Sequence, residues 1–190
     1  MKIGLFFGSF NPIHVGHLII ANTMATTTDL EQVWFIVSPQ NPFKKNNGLL
    51  HEFDRFDLVQ RAISDNTLLR ANDIEFHMPK PSYTIDTLVR LQEKFPQHQF
   101  KLIMGEDNLA QFPNWKNYDK ILEYTGLYVY PRPHSKPHAF GNHPDVKFVE
   151  APLLDISATF LRACIKKGQS IRYMVPEPVE QLIKIKKFYL

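Results

Sequence analysis

At 190 residues the chain can bury a core without disulfides or metals, and 44% apolar with 22% charged residues is ordinary globular composition. A net charge of +3 leaves no strongly basic nucleic-acid footprint, although it suits small anionic ligands. The one cysteine, Cys164, excludes an intrachain disulfide and fits a reducing compartment. No stretch approaches the ~18 apolar residues of a membrane span. The apolar run 3–7 is too short for the apolar region of a signal peptide, so a cytoplasmic protein is expected.

In chain order, residues 2–7 read as a buried strand, 17–26 as a helix and 33–37 as a second strand. Residues 53–64 carry helical periodicity through Phe56, Val59, Gln60 and Ile63, and 84–95 through Ile85, Leu88, Val89 and Gln92. A strand over 100–104 precedes a helix near Asn108, and further strands fall at 127–130 and 146–150. A helix over 157–167 stops at Gly168, and the last, 178–188, has Pro178 in its first turn. This alternation predicts an α/β fold, a doubly wound, mostly parallel sheet with helices on both faces, in one domain spanning 1–190. Such sheets bind ligands outside the carboxyl ends of their strands.

The most informative segment is Gly8-Ser9-Phe10-Asn11-Pro12-Ile13-His14-Val15-Gly16-His17, between the first strand and the first helix. Phosphate binds at such a junction. Gly8 permits a close backbone approach, and Asn11-Pro12 fixes an extended turn. A helix starting near His14 puts His14 and His17 on one side of its first turn, beside free N–H groups. There the two imidazoles can donate hydrogen bonds to a polyphosphate, or carry positive charge beside it. A lone histidine would read as a helix cap; two in this loop read as function.

A second segment, Ile156-Ser157-Ala158-Thr159-Phe160-Leu161-Arg162, starts the penultimate helix. Ser157 is a good N-cap, and Thr159 and Arg162 follow on one side. Hydroxyls, N–H groups and a guanidinium then converge at one helix end. Two such helix starts can grip one polyphosphate from two sides. Neither a Walker-type phosphate loop nor a G-x-G-x-x-G fingerprint is present. His134, His138 and His143 lie in a proline-rich loop that is not expected to form a zinc site, and no protein-held metal is expected.

Together these segments resemble the HxGH nucleotidyltransferase superfamily and, within it, the bacterial nicotinate-nucleotide adenylyltransferases. The resemblance extends to Pro81-Ser82-Tyr83-Thr84-Ile85-Asp86-Thr87-Leu88, to Gly105-Glu106-Asp107 followed by Trp115, to Tyr130-Pro131-Arg132, and to Val175-Pro176-Glu177-Pro178-Val179. It implies a Rossmann-like domain that moves an adenylyl group from ATP to nicotinate mononucleotide, with Mg²⁺ held mainly through the ATP phosphates. Carried over by motif, Gly8, Ser9, Phe10, His14, His17, Gly105, Asp107, Ile156, Ser157, Thr159 and Arg162 would bind ATP. Asn11, Lys44, Ser82, Tyr83, Thr84, Trp115 and Arg132 would form the acceptor pocket. His14, His17, Lys44 and Arg162 would be catalytic. Lys45 is an alternative to Lys44, because 38–45 departs from the family pattern. Nicotinamide mononucleotide and phosphopantetheine stay open as alternative acceptors, as does a non-catalytic nucleotide-binding module. Neither nucleic acid nor membrane is an expected partner; a homo-oligomer is left open.

Overall fold

In the computed structural model, residues 1–40, 48–133, 135–152 and 154–190 are described. Six strands are apolar enough to form the sheet: β1 (Lys2–Gly8), β2 (Gln32–Val37), β3 (Leu69–Asn72), β4 (Gln99–Gly105), β5 (Leu127–Tyr130) and β6 (Val146–Phe148). Their order is β3-β2-β1-β4-β5-β6, with every neighbouring pair parallel. The helices are α1 (Val15–Thr27), α2 (Glu52–Ala62), α3 (Thr84–Lys94), α4 (Tyr118–Thr125), α5 (Ala158–Lys166) and α6 (Glu177–Lys186).

Strand side chains alternate between faces, and here they feed two cores. Phe6, Val33, Phe35 and Val37 pack with Ile20 and Met24 of α1, Leu58 and Val59 of α2, Leu161 and Cys164 of α5, and Val179 and Leu182 of α6. Ile3, Leu5, Trp34 and Ile36 pack on the opposite face with Leu88 and Leu91 of α3 and Ile121 and Leu122 of α4. Strand order reverses between β1 and β4, and the carboxyl ends of these two strands, Gly8 and Gly105, face one crevice. Among the described residues no helix is long and apolar enough to cross a membrane.

The expected α/β fold is present, and its sheet is wholly parallel. The structure corrects several finer expectations. The helix expected near Asn108 is a single 3-10 turn, Glu106–Asn108, and the true helix is α4, ten residues further on. In α2 the buried stripe is Arg55, Leu58, Val59 and Ala62, with Gln60 exposed; the helix is rotated because Arg55 faces inward. In α3 the buried residues are Ile85, Thr87, Leu88 and Leu91, while Val89 and Gln92 face solvent.

Candidate active site

The loop after β1 is held in a conformation its sequence would not adopt alone. Phe10 has φ 45°, left-handed and costly for a side chain other than glycine. Its ring is wedged edge-on against His17 at 5.1 Å, Phe35 at 5.3 Å and Phe6 at 6.0 Å. That packing offsets the strain. The Asn11-Pro12 peptide is cis. Asn11 is buried, and its Nδ2 donates to the Gly48 carbonyl at 2.9 Å. Its Oδ1 accepts from the Tyr189 hydroxyl at 2.9 Å and from the Leu50 N–H at 3.2 Å. Asn11 lines the cleft, but its carboxamide ties three chain segments together.

His14 caps α1 and is 4% exposed; its ring stacks on His17 with centroids 3.8 Å apart. The His14 N–H donates to His17 Nδ1 at 3.3 Å. A ring nitrogen that accepts carries no proton, so the hydrogen of His17 lies on Nε2. Burial, reinforced by the Arg132 guanidinium, lowers the His14 pKa from 6.5 to about 4. His14 is therefore neutral at neutral pH, with one ring nitrogen able to donate. Gly16 makes the stack possible: a Cβ there would lie 2.8 Å from Ile156 Cγ2 and 3.1 Å from His14 Nδ1. The first turn of α1 is more closed than its sequence implies. Its Val15 N–H donates to the Met174 carbonyl at 3.0 Å and its His17 N–H to the His14 carbonyl at 3.0 Å. The groups this leaves for a ligand at that helix start are the imidazoles and the Gly16 N–H.

The second segment lies across the same cleft. Ser157 Oγ accepts from the Phe160 N–H at 3.2 Å, as an N-cap should. Among the described residues the N–H groups of Ala158 and Thr159 find no acceptor, so this helix start is open. Arg162 Nη1 donates to the Asn11 carbonyl at 2.8 Å, and Nη2 donates to Thr159 Oγ1 at 3.3 Å. This bond and the Gly16–Ile156 contact join two segments about 150 positions apart.

Gly105 and Asp107 line the far side of the cleft with Arg132. A Cβ on Gly105 would collide with the Asp107 carboxylate and stand 3.1 Å from Arg132 Cγ. Arg132 Nε lies 3.9 Å from Asp107 Oδ1. Ser82, Tyr83, Thr84 and Trp115 form one end of the cleft. Trp115 is half-buried edge-on against Phe112 at 5.5 Å, and Lys116 lies 4.9 Å over the Tyr83 ring. The cleft measures about 490 Å³ and brings together every sequence-predicted site residue that is described. Lys44 and Lys45 lie outside the described residues.

Two residues escaped the sequence reading. Arg55 is fully buried and, among the described residues, donates only to carbonyls: Leu50 at 2.9 Å, Ser9 at 2.6 Å, Ser38 at 2.8 Å and Pro39 at 3.1 Å. It fixes the loops that leave β1 and β2. Glu75 is buried at the cleft wall and accepts from Ser82 at 2.8 Å and Thr87 at 2.7 Å. Burial raises its pKa, against the pull of those hydroxyls and that of Ser38. Sequence offered one clue only, a charged residue inside an otherwise apolar period.

The switch point of the parallel sheet opens into one cleft between the starts of α1 and α5, the arrangement expected of a class, the nucleotidyltransferases. The profile of the cytidylyltransferase-like family matches residues 5–164, which hold both helix starts. A probable nicotinate-nucleotide adenylyltransferase of Cytophaga hutchinsonii is 64% identical over 100% of this chain and 98% of its own. Another, of Flavobacterium johnsoniae, is 49% identical over 100% of this chain and 99% of its own. Plasmodium falciparum nicotinic acid mononucleotide adenylyltransferase complexed with NaAD has the same fold, with a TM-score of 0.83 at 19% identity over 99% of this chain and 97% of that one. The chain belongs to the cytidylyltransferase-like family and, within it, to the nicotinate-nucleotide adenylyltransferases.

Proposed function

We propose that this chain transfers the adenylyl group of ATP to nicotinate mononucleotide, giving nicotinate adenine dinucleotide and pyrophosphate. The observation that carries the reading is the meeting of the α1 and α5 starts in one cleft that also holds Tyr83, Thr84 and Trp115. In this reading an oxygen of the acceptor phosphate attacks the α-phosphorus of ATP in line, and the bond to the β-phosphate oxygen breaks. The acceptor phosphate is already ionised near neutral pH, so no general base is required. Catalysis rests on positioning and on stabilising charge at the departing pyrophosphate.

His17 Nε2–H and neutral His14 donate to phosphate oxygens, while Thr159, Arg162 and the open N–H groups of Ala158 and Thr159 hold the β/γ end. Gly8, Ser9, Phe10 and Ile156 shape the nucleotide path, with Ser157 capping the helix that binds it. Gly105 and Asp107 face the ribose or adenine, and Arg132 approaches the acceptor phosphate. Trp115 supplies an aromatic face for the pyridine ring. Its carboxylate meets the start of α3, where the N–H groups of Thr84 and Ile85 have no acceptor among the described residues. Asn11 borders the acceptor, and its bond to Arg162 adds a positioning role. Lys44 keeps a role at the phosphates on the strength of sequence alone. The donor set, imidazoles, hydroxyls and guanidiniums, fits phosphate oxygens, so Mg²⁺ would be carried by the triphosphate, where it neutralises charge. A cytoplasmic setting, in keeping with buried Cys164, belongs to the same proposal.

The test supplies ATP and Mg²⁺ with nicotinate mononucleotide, nicotinamide mononucleotide or phosphopantetheine separately and follows pyrophosphate release. Release is expected to be fastest with nicotinate mononucleotide. No release with either pyridine mononucleotide would overturn the assignment.

A further inference from the structure

Glu75 occupies the 3-10 turn Ile74–His77 that follows edge strand β3. It is 2% exposed, and no lysine or arginine pairs with it among the described residues. A buried acid without a cation is costly, and an apolar side chain would fill the same space more cheaply. What its position does achieve is local. Oε2 accepts from the Ser82 hydroxyl and Oε1 from that of Thr87, and the Ser38 hydroxyl beyond β2 also pulls on the carboxyl. Ser82 precedes α3 and Thr87 ends its first turn. The two straddle Tyr83 and Thr84, which line the cleft, and Ile85, whose N–H like that of Thr84 has no acceptor among the described residues. The Thr87 hydroxyl also lies 3.2 Å from the Tyr83 carbonyl, and its single hydrogen goes to the nearer acceptor, Glu75 at 2.7 Å.

We infer that Glu75 is the positioning residue of the acceptor pocket: by holding Ser82 and Thr87 it aims the Thr84 and Ile85 N–H pair at the carboxylate of the pyridine ring. The inference rests on the adenylyl-transfer reading. Glu75 acts through α3 and does not touch the ligand. An N–H pair donates only, so it suits a carboxylate, which only accepts, and mismatches the NH₂ of a carboxamide. Aim at this helix start therefore governs the preference for acid over amide.

The experiment compares the intact chain with Glu75→Ala, Glu75→Gln and Thr87→Val, varying each nucleotide while the other saturates. Glu75→Ala is expected to raise KM for nicotinate mononucleotide about tenfold while leaving KM for ATP within about twofold. Its nicotinate-over-nicotinamide ratio of kcat/KM should fall about fivefold. Glu75→Gln keeps one acceptor and a group that can bond the second hydroxyl, and should return the acceptor KM to within about threefold of the unaltered value. Unchanged acceptor KM in Glu75→Ala, or an equal rise for ATP, overturns the inference while leaving the adenylyl-transfer reading intact. If Glu75→Ala does not fold, Thr87→Val decides: an acceptor-selective rise of about threefold supports the inference and no rise overturns it. An unaltered chain that makes no dinucleotide overturns both.

Discussion

The two helix starts that meet in the cleft perform one task by different means. At α1 the backbone is spent internally: the His14 N–H goes to His17, the Val15 N–H to Met174 and the His17 N–H to the His14 carbonyl. In the proposed function anion recognition passes to two stacked imidazoles, with His17 edge-on to Phe6 and Phe10. At α5 the side chains are exposed, one cap is in place, and two N–H groups stay open. A donor in a poorly solvated wall interacts with phosphate more strongly than one bathed in water. On the proposed reading the closed start therefore serves the bonds that change, and the open start grips the distal phosphates.

Variants can break this contrast. The largest effect is expected for His17→Ala, which removes an oriented donor at the departing pyrophosphate. Turnover should fall by roughly 10² to 10³, about 3–4 kcal/mol, with ATP binding retained; near-normal turnover would move the chemistry away from α1. Next is a pH effect set by the burial of His14. Its folded pKa, about 4, is below the ordinary 6.5, so between these values the unfolded chain binds a proton that the folded one refuses. The contribution is intact above pH 6.5 and is lost as pH falls toward 4, up to ~3 kcal/mol. Denaturation midpoints of the unaltered chain and His14→Gln should converge across that window; parallel curves would show an unburied imidazole.

Gly16→Ala is expected to cost about 1–3 kcal/mol of stability, because the methyl must displace Ile156 and His14 together. The KM for ATP should rise with it, and a silent Gly16→Ala would separate the two helix starts. The smallest effect belongs to the open start. Ser157→Ala should lose about 1 kcal/mol of stability with only a modest change in KM for ATP, and a loss rivalling His17→Ala would erase the asymmetry.

What sequence revealed follows the range of the interactions. The β1–loop–α1 and α5 segments are short and self-contained, so their residues announce both strand end and helix start. β3 went unseen because it is an edge strand of four residues, with only Leu69 and Asn72 buried. α4 begins at Asn117, whose left-handed φ of 52° replaces a conventional cap. The α2 and α3 faces were read out of phase because Arg55 and Thr87 are polar yet face inward. Glu75 escapes for the same reason, since its partners are hydroxyls, two of them 7 and 12 positions on and the third, Ser38, beyond another strand. The closure of the α1 start depends on Met174, and the depressed His14 pKa draws on Arg132; no local pattern holds either partner.

Arg55 carries a different lesson. Its guanidinium grips the path of the chain at Ser9, Ser38, Pro39 and Leu50, and none of their side chains. Every amino acid brings a carbonyl, so mutation can rewrite the letters at those four positions without loosening the clamp. All tolerance is gathered on one side of the contact and all vulnerability on the other. A library randomised at Pro39 and Leu50 should retain many functional members, whereas one randomised at Arg55 should retain almost none.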